Sequence, residues 1–125
     1  MNRLTIFYFH DELVRAAVIQ GENCFIGHEV AAALGYRDIM NAVEQFVPRE
    51  EVRRLTLPFL GNTWLTETLV TLEGARKLAS QIGKEKRKKA FLAWLDHKNR
   101  FLTENQQDPR SVPLPDFCQF ETVCP

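Results

Sequence analysis

Long hydrophobic runs are missing from this chain of 125 residues. Nothing approaches the roughly 20 apolar residues of a membrane-spanning helix, since Leu13 to Ile19 is too short and is interrupted by Arg15. A signal peptide is absent as well: the N-terminus reads directly as a strand, so a cytoplasmic protein with no membrane partner is expected. Cysteine is scarce, three in all, and an odd count argues against a secreted disulfide framework. Cys118 and Cys124 have no Cys-x-x-Cys spacing and no nearby histidine, and Cys24 beside Phe25 reads as a small buried hydrophobe. His10, His28 and His97 are scattered, so no metal site and no cofactor are expected. The chain also lacks a Gly-rich phosphate loop, a Gly-x-Ser-x-Gly elbow and a His-Glu-x-x-His pair. Its acids Glu29, Asp38, Glu44 and Glu67 are accounted for by caps, wet helix faces or strand edges. No catalytic constellation remains, and the expectation is that the protein is not an enzyme.

An excess of charge of either sign is lacking too, because sixteen acids balance sixteen bases. What is uneven is their distribution, which matters more than the sum for a charged partner. Five of the six residues from Lys84 to Lys89 are basic, whereas acids gather at Asp11 and Glu12, at Glu50 and Glu51, and in the tail. The apolar fraction of 45%, with nine Phe and two Trp, describes one globular domain large enough to build a core without staples.

Alternation at period two marks a first strand whose two faces, Leu4, Ile6, Tyr8 and Thr5, Phe7, Phe9, are both mainly apolar, as in a central strand. His10-Asp11-Glu12 and Gln20-Gly21-Glu22-Asn23 are turns around a second run, Leu13 to Ile19, and a short strand spans Cys24 to Ile26. Strands at Val52 to Leu60 and Thr63 to Val70 flank Gly61-Asn62, a pair suited to a two-residue hairpin turn. Pro58 has no backbone donor and places its strand at a sheet edge. Thr71 can cap a helix striped by Leu72, Ala75, Leu78, Ala79 and Ile82 and ended by Gly83. A longer helix runs from about Lys84 to about Thr103, with Phe91, Trp94, Leu95, Lys98 and Leu102 on one stripe. The fold class is therefore α+β: a small antiparallel meander and hairpin with two short helices and two C-terminal helices. Residues 1–104 form the domain, and 105–125 read as a proline-containing extended tail with no helix or strand, whose aromatics dock on its own domain or on a second copy.

The organising stretch is Phe25 to Val47. Val30, Ala33 and Leu34 fall at helical spacing, with His28, Glu29 and Ala31 on the other side. Gly35 stands where a helix stop needs positive φ. Asp38 is placed to cap a second helix striped by Ile39, Ala42, Val43 and Phe46, and Pro48 ends it. Two short helices around a glycine turn are either a helix-turn-helix or a helical hairpin that fills a core.

The order of pieces, LVRAAVIQGEN, then CFIGHEVAAALGYRDIMNAV, then a hairpin and LVTLEGARKLA, resembles the N-terminal domain of the Bro family over roughly residues 4 to 102. That family includes prophage antirepressors and baculovirus repeated-ORF proteins. The resemblance implies a DNA-binding module of phage or prophage origin, acting in transcriptional regulation or antirepression in the host-cell cytoplasm. In the family this domain is often followed by a variable C-terminal domain, where this chain has only about twenty residues after Glu104. Duplex DNA is the expected partner, with base readout from Arg37, Asn41 and Gln45, since Arg pairs with guanine and Asn or Gln with adenine. Phosphate contacts are expected from Lys84, Lys86, Arg87, Lys88 and Lys89, with Arg53 and Arg54 as further candidates. At 100° per residue Lys84 and Arg87 share the sector of Phe91 and Leu95, so that face must leave the core before Arg87. Cations at a helix N-terminus oppose its dipole, which leaves two readings, a solvated connection or an anion-facing patch. A homodimer follows from the tail aromatics and the two-fold logic of operators. The rival reading is a stand-alone phage module that binds and inhibits a host repressor or defence complex, a host or phage regulatory protein, for which zero net charge is at least as suitable.

Overall fold

The computed structural model describes residues 2–58, 64–105, 111–114 and 119–122. The chain opens with three antiparallel strands, β1 (Arg3–Phe9), β2 (Glu12–Ile19) and β3 (Glu22–Ile26), joined by two tight turns. His10 and Asp11 carry φ of 48° and 69°, and Gln20 and Gly21 carry 52° and 81°. Positive φ at both central residues is what a two-residue hairpin turn matched to strand twist requires. Helices α1 (Gly27–Leu34) and α2 (Ile39–Phe46) follow, then a single 3-10 turn and the strands β4 (Val52–Pro58) and β5 (Trp64–Thr71). Helices α3 (Leu72–Ser80) and α4 (Glu85–Glu104) precede two short strands, β6 (Ser111–Pro113) and β7 (Gln119–Thr122). Among the described residues seven strands make one antiparallel sheet in the order β6-β1-β2-β3-β5-β4-β7. The α+β class and the meander, hairpin and four-helix plan are thus present.

Helices cover one face of this sheet. Phe7, Phe9, Val14, Ala16, Phe25, Val52 and Val70 meet Val30, Leu34, Ala42, Leu78, Phe91 and Leu95 in the larger of two apolar clusters. Edge-to-face contacts among Phe7, Phe9, Phe91 and Trp94 fix the α4 side of it, and the Trp94 indole N–H donates to the Tyr8 carbonyl at 2.9 Å. Lys98, on the same stripe, keeps its ammonium 5.2 Å from the Phe7 ring centroid, which lets its stem lie on the core while the charge stays near solvent. The smaller cluster, Ala17, Ile19, Cys24, Ile26, Leu55 and Leu69, lies on the opposite face, with Leu4 and Leu114 against it. Curvature accounts for its burial. Strands β6 and β7 occupy opposite edges, yet the chain from Pro113 to Gln119 reaches at most about 22 Å. A flat sheet would need about 29 Å for six strand spacings, so the sheet curls around this cluster.

Four expectations are corrected. The tail is not devoid of strands, since Ser111–Pro113 pairs with β1 and Gln119–Thr122 with β4; Pro113 is tolerated because it ends an edge strand. Strand β4 is consequently not an edge, although its pairing with β7 stops at Thr56 and leaves Pro58 beyond the ladder. The first strand buries one face fully and the other only at Leu4, because Ile6 and Tyr8 are exposed on the face that no helix covers. Finally, α3 stops at Ser80 rather than at Gly83, and Ile82 packs on the core from the α3–α4 connection. The Gly61-Asn62 turn and the tail aromatic Phe117 lie outside the described residues, as do Cys118 and Cys124; of Phe120 only the backbone, in β7, is described.

Candidate nucleic-acid interface

Helix α1 ends as its sequence requires. Gly35 has φ of 89°, and the N–H groups of Gly35 and Tyr36 donate to the carbonyls of Ala32 and Ala31. This is the left-handed stop that satisfies two of the orphan carbonyls of a helix end. Asp38 then caps α2, accepting from the Asn41 N–H at 3.3 Å, while Val47 and Pro48 close it. Close approach holds α2 to its predecessor: a Cβ on Gly27 would stand 2.9 Å from a Val43 methyl. The Tyr36 hydroxyl donates to the Leu78 carbonyl at 2.5 Å, tying the turn to α3.

Only Ala42 and Val43 of α2 are buried, and Met40, Asn41, Glu44 and Gln45 are exposed. Arg37, in the turn before the helix, is exposed as well. Gln45 is therefore placed as the readout expectation needs it. Asn41 is partly committed, since its amide donates to the Asp38 carboxylate at 2.7 Å.

The basic run divides in two. Lys84, Lys86 and Lys89 are exposed. Arg87 is half-buried, donating from Nε and from a terminal nitrogen to the Ala33 carbonyl at 2.9 and 2.7 Å, with its guanidinium 5.9 Å from the Phe9 ring. The expected departure of that face before Arg87 does not occur, because the cation is paired rather than bare. It meets a carbonyl that the Gly35 stop leaves open, at the negative end of the α1 dipole. Lys88 is partly buried, and its ammonium stands 3.2 Å from the exposed Glu85 one turn earlier. Arg87 nevertheless ties the first turn of α4 to the last turn of α1.

Of the two arginines opening β4, Arg53 faces Glu22, with Nε at 2.9 Å from its carboxylate. Burial works against the Arg53 charge, and the hydrogen bond and charge of Glu22 outweigh it, leaving its pKa raised. Arg54 is exposed. It lines a cleft of about 700 Å³ between α2 and the β4–β5 hairpin, together with Arg49, Met40, Glu44, Leu65 and His28. The hairpin projects there, because the β3–β5 ladder ends at Ile26 opposite Leu69.

Sequence reasoning missed the polar cluster beneath this cleft. Glu29 is buried, not on a wet helix face, and accepts from the Arg15 backbone N–H at 2.8 Å and from Arg15 Nε at 2.9 Å. The hydrogen bond to Glu29 raises the Arg15 pKa further above its ordinary range. Glu67 stands 3.7 Å from the same guanidinium, and His28 bridges towards both carboxylates at 4.0 and 3.9 Å. The available signal was the end of β3: with no strand beyond Ile26, the Arg15 N–H needs an acceptor, and the first turn of α1 supplies it. Ala31, expected on the outer side, is also buried, because α1 is enclosed by α3, α4 and the sheet.

No helix among the described residues is long and apolar enough to cross a membrane. In comparisons with protein-family models, curated proteins and solved structures, nothing matches this chain.

Proposed function

We propose that this domain binds duplex DNA, as a phage or prophage module acting in transcriptional regulation or antirepression. The observation that carries the reading is the exposed face of α2, a helix capped at its N-terminus by Asp38 and held by Val43 against α1. An α-helix with its side chains is about 10–12 Å across, a diameter that the major groove, about 12 Å wide, admits. Exposed cations surround it in the chain, Arg37 in the turn before it and Arg49 and Arg54 after it, and Lys84, Lys86 and Lys89 are exposed around the start of α4. On this reading α2 enters the groove, Gln45 and Arg37 read base edges, and the other exposed cations meet phosphates. Arg53, Arg87 and Lys88 leave the contact set, because each holds a partner within the fold. A homodimer belongs to the same proposal, with two α2 helices about 34 Å apart on a two-fold site.

Fluorescence anisotropy with a duplex of about 20 base pairs, titrated between about 50 and 200 mM salt, tests it. Affinity should fall steeply with salt. Replacing Lys84, Lys86 and Lys89 by Ala should flatten the log–log slope by about 0.9 per lost phosphate contact. A wild-type protein with no salt-sensitive affinity for any duplex refutes the reading.

A further inference from the structure

We propose that Glu44 and Met40 select pyrimidines: Glu44 accepts a hydrogen bond from the exocyclic amino group of a cytosine, and Met40 packs on the 5-methyl group of a nearby thymine. The inference rests on the DNA reading and adds a second column of readers to α2. Glu44 is the residue that needs explaining. It is the only charged side chain in α2, IMNAVEQF, it is exposed, and it makes no ion pair among the described residues. Met40 and Asn41 one turn back, and Val47 and Pro48 one turn on, offer it no cation at helical spacing. Its place is unfavourable twice over. The last turn of a helix carries the negative end of the dipole, and the face is the one that a phosphate-lined groove would receive. A wet helix face explains the exposure of Glu44 and leaves its sign unexplained, since stability and phosphate contact both favour a lysine or arginine there. Arg49 and Arg54 line the same cleft, and their charge offsets in part the repulsion of one carboxylate by phosphates.

Hydrogen-bond chemistry picks the base. An ionised carboxylate only accepts, so in the major groove its partners are cytosine N4 and adenine N6. Adenine N6 lies beside the N7 acceptor, which repels a carboxylate, whereas cytosine presents its donor with no acceptor on the same edge. Met40 stands one turn earlier, 82% exposed, on a helix whose buried side is taken by Ala42 and Val43. The apolar group that the major groove offers is the thymine methyl, and a pliable thioether suits it. Four residues set Met40 and Glu44 about 6 Å apart along the axis. That is about two base steps of 3.4 Å, so the cytosine and the thymine should lie within about two steps of each other. Asn41 and Gln45, one residue or 100° further round α2, form the parallel column, and their amides suit adenine.

The test uses the full chain to select from a pool of duplexes with randomised centres, then measures the winning duplex by fluorescence anisotropy. Cytosine should be fixed at one position. Glu44→Gln should lower the preference for that cytosine by about 5- to 150-fold. The same variant should bind a random duplex about two- to fivefold more tightly, because one repelling charge is gone. An acid that merely repels would raise both affinities alike and leave the preference intact. Replacing the nearby thymine by deoxyuridine should weaken wild type about fourfold, the value of one methyl group, and leave Met40→Ala unaffected. An unaltered cytosine preference in Glu44→Gln overturns the proposal. So does a wild-type protein that binds duplexes with steep salt dependence and no sequence preference. An equal response of wild type and Met40→Ala to deoxyuridine overturns the thymine contact. Duplex binding itself stands in all three outcomes, whereas a wild-type protein with no salt-sensitive affinity for any duplex removes the DNA reading and this inference together. Both replaced side chains are exposed, and melting curves identify any variant that fails to fold.

Discussion

Helices α1 and α2 have the same length and opposite fates. Six of the eight residues of α1 are buried, against two of the eight in α2. The first is gripped from every side: its apolar residues meet both the sheet and α4, Glu29 holds the end of β2, and Arg87 holds its last turn. The second is held by a cap, by Val43 against Gly27 and by a half-buried Phe46 packed on Tyr36. Burial consumes the side chains that a partner could read. The less enclosed helix is therefore the one free to present chemistry, and the more enclosed helix sets its position.

Core truncation should separate the two most sharply. Leu34, 2% exposed in α1, should cost about 2–5 kcal/mol as Leu34→Ala, from lost transfer energy and a residual cavity. Met40→Ala in α2 should stay within about 0.5 kcal/mol, as exposed substitutions do. Urea unfolding of both variants checks the contrast, and comparable losses would erase it. Next in size is Gly35→Val. Nothing lies within 4 Å of a Cβ at Gly35, so clash is not the issue, but φ of 89° is strained for a β-branched residue. A loss of about 1–3 kcal/mol is expected, and a variant that melts like wild type would remove the helix stop from the account.

What was legible in the sequence was local. Gly35, Asp38 and Thr71 act on groups within five residues of themselves, so their roles follow from spacing and backbone chemistry alone. Arg87 meets Ala33, 54 residues away, and periodicity says only that it lies near the core, not that a helix end awaits it there. The exposed face of α2 was legible because the opposite stripe was apolar. The cleft beside it was not, since its far wall is a hairpin whose placement depends on where β3 stops. The tail strands were hidden for a related reason. Three prolines between 109 and 115 suppress a strand signal, and the edges that receive the tail are remote in sequence: β4 for β7, and β1 for β6, as in the Thr5–Ser111 hydroxyl contact, 106 residues apart.

Arg87 and Lys89 sharpen the comparison on the α4 side. Arg87→Met keeps the apolar stem and leaves the Ala33 carbonyl without its charged donors, for a loss of about 1–3 kcal/mol. Lys89→Ala, at an exposed position, should change stability by less than about 0.5 kcal/mol. On the DNA reading the order inverts for binding: Lys89→Ala weakens the duplex complex, and Arg87→Met leaves its salt slope unchanged.

The smallest stability effect is expected at Asn41, and it separates capping from recognition. Asp38 holds both the backbone N–H and the side-chain amide of Asn41. Asp38→Ala removes the cap and should cost about 0.5–2 kcal/mol. Asn41→Ala keeps the capping N–H and loses only an exposed amide contact, so stability should stay within about 0.5 kcal/mol of wild type. If Asn41 reads adenine, it must first exchange Asp38 for the base edge, an exchange that costs little because both contacts are exposed to water. Asn41→Ala should then lower the preference for the best duplex over a random one by about 1–3 kcal/mol, with the salt slope intact because no phosphate contact is lost. Unchanged preference in a variant of unchanged stability would assign Asn41 to capping alone and leave as readers Gln45 on α2 and Arg37 in the turn before it.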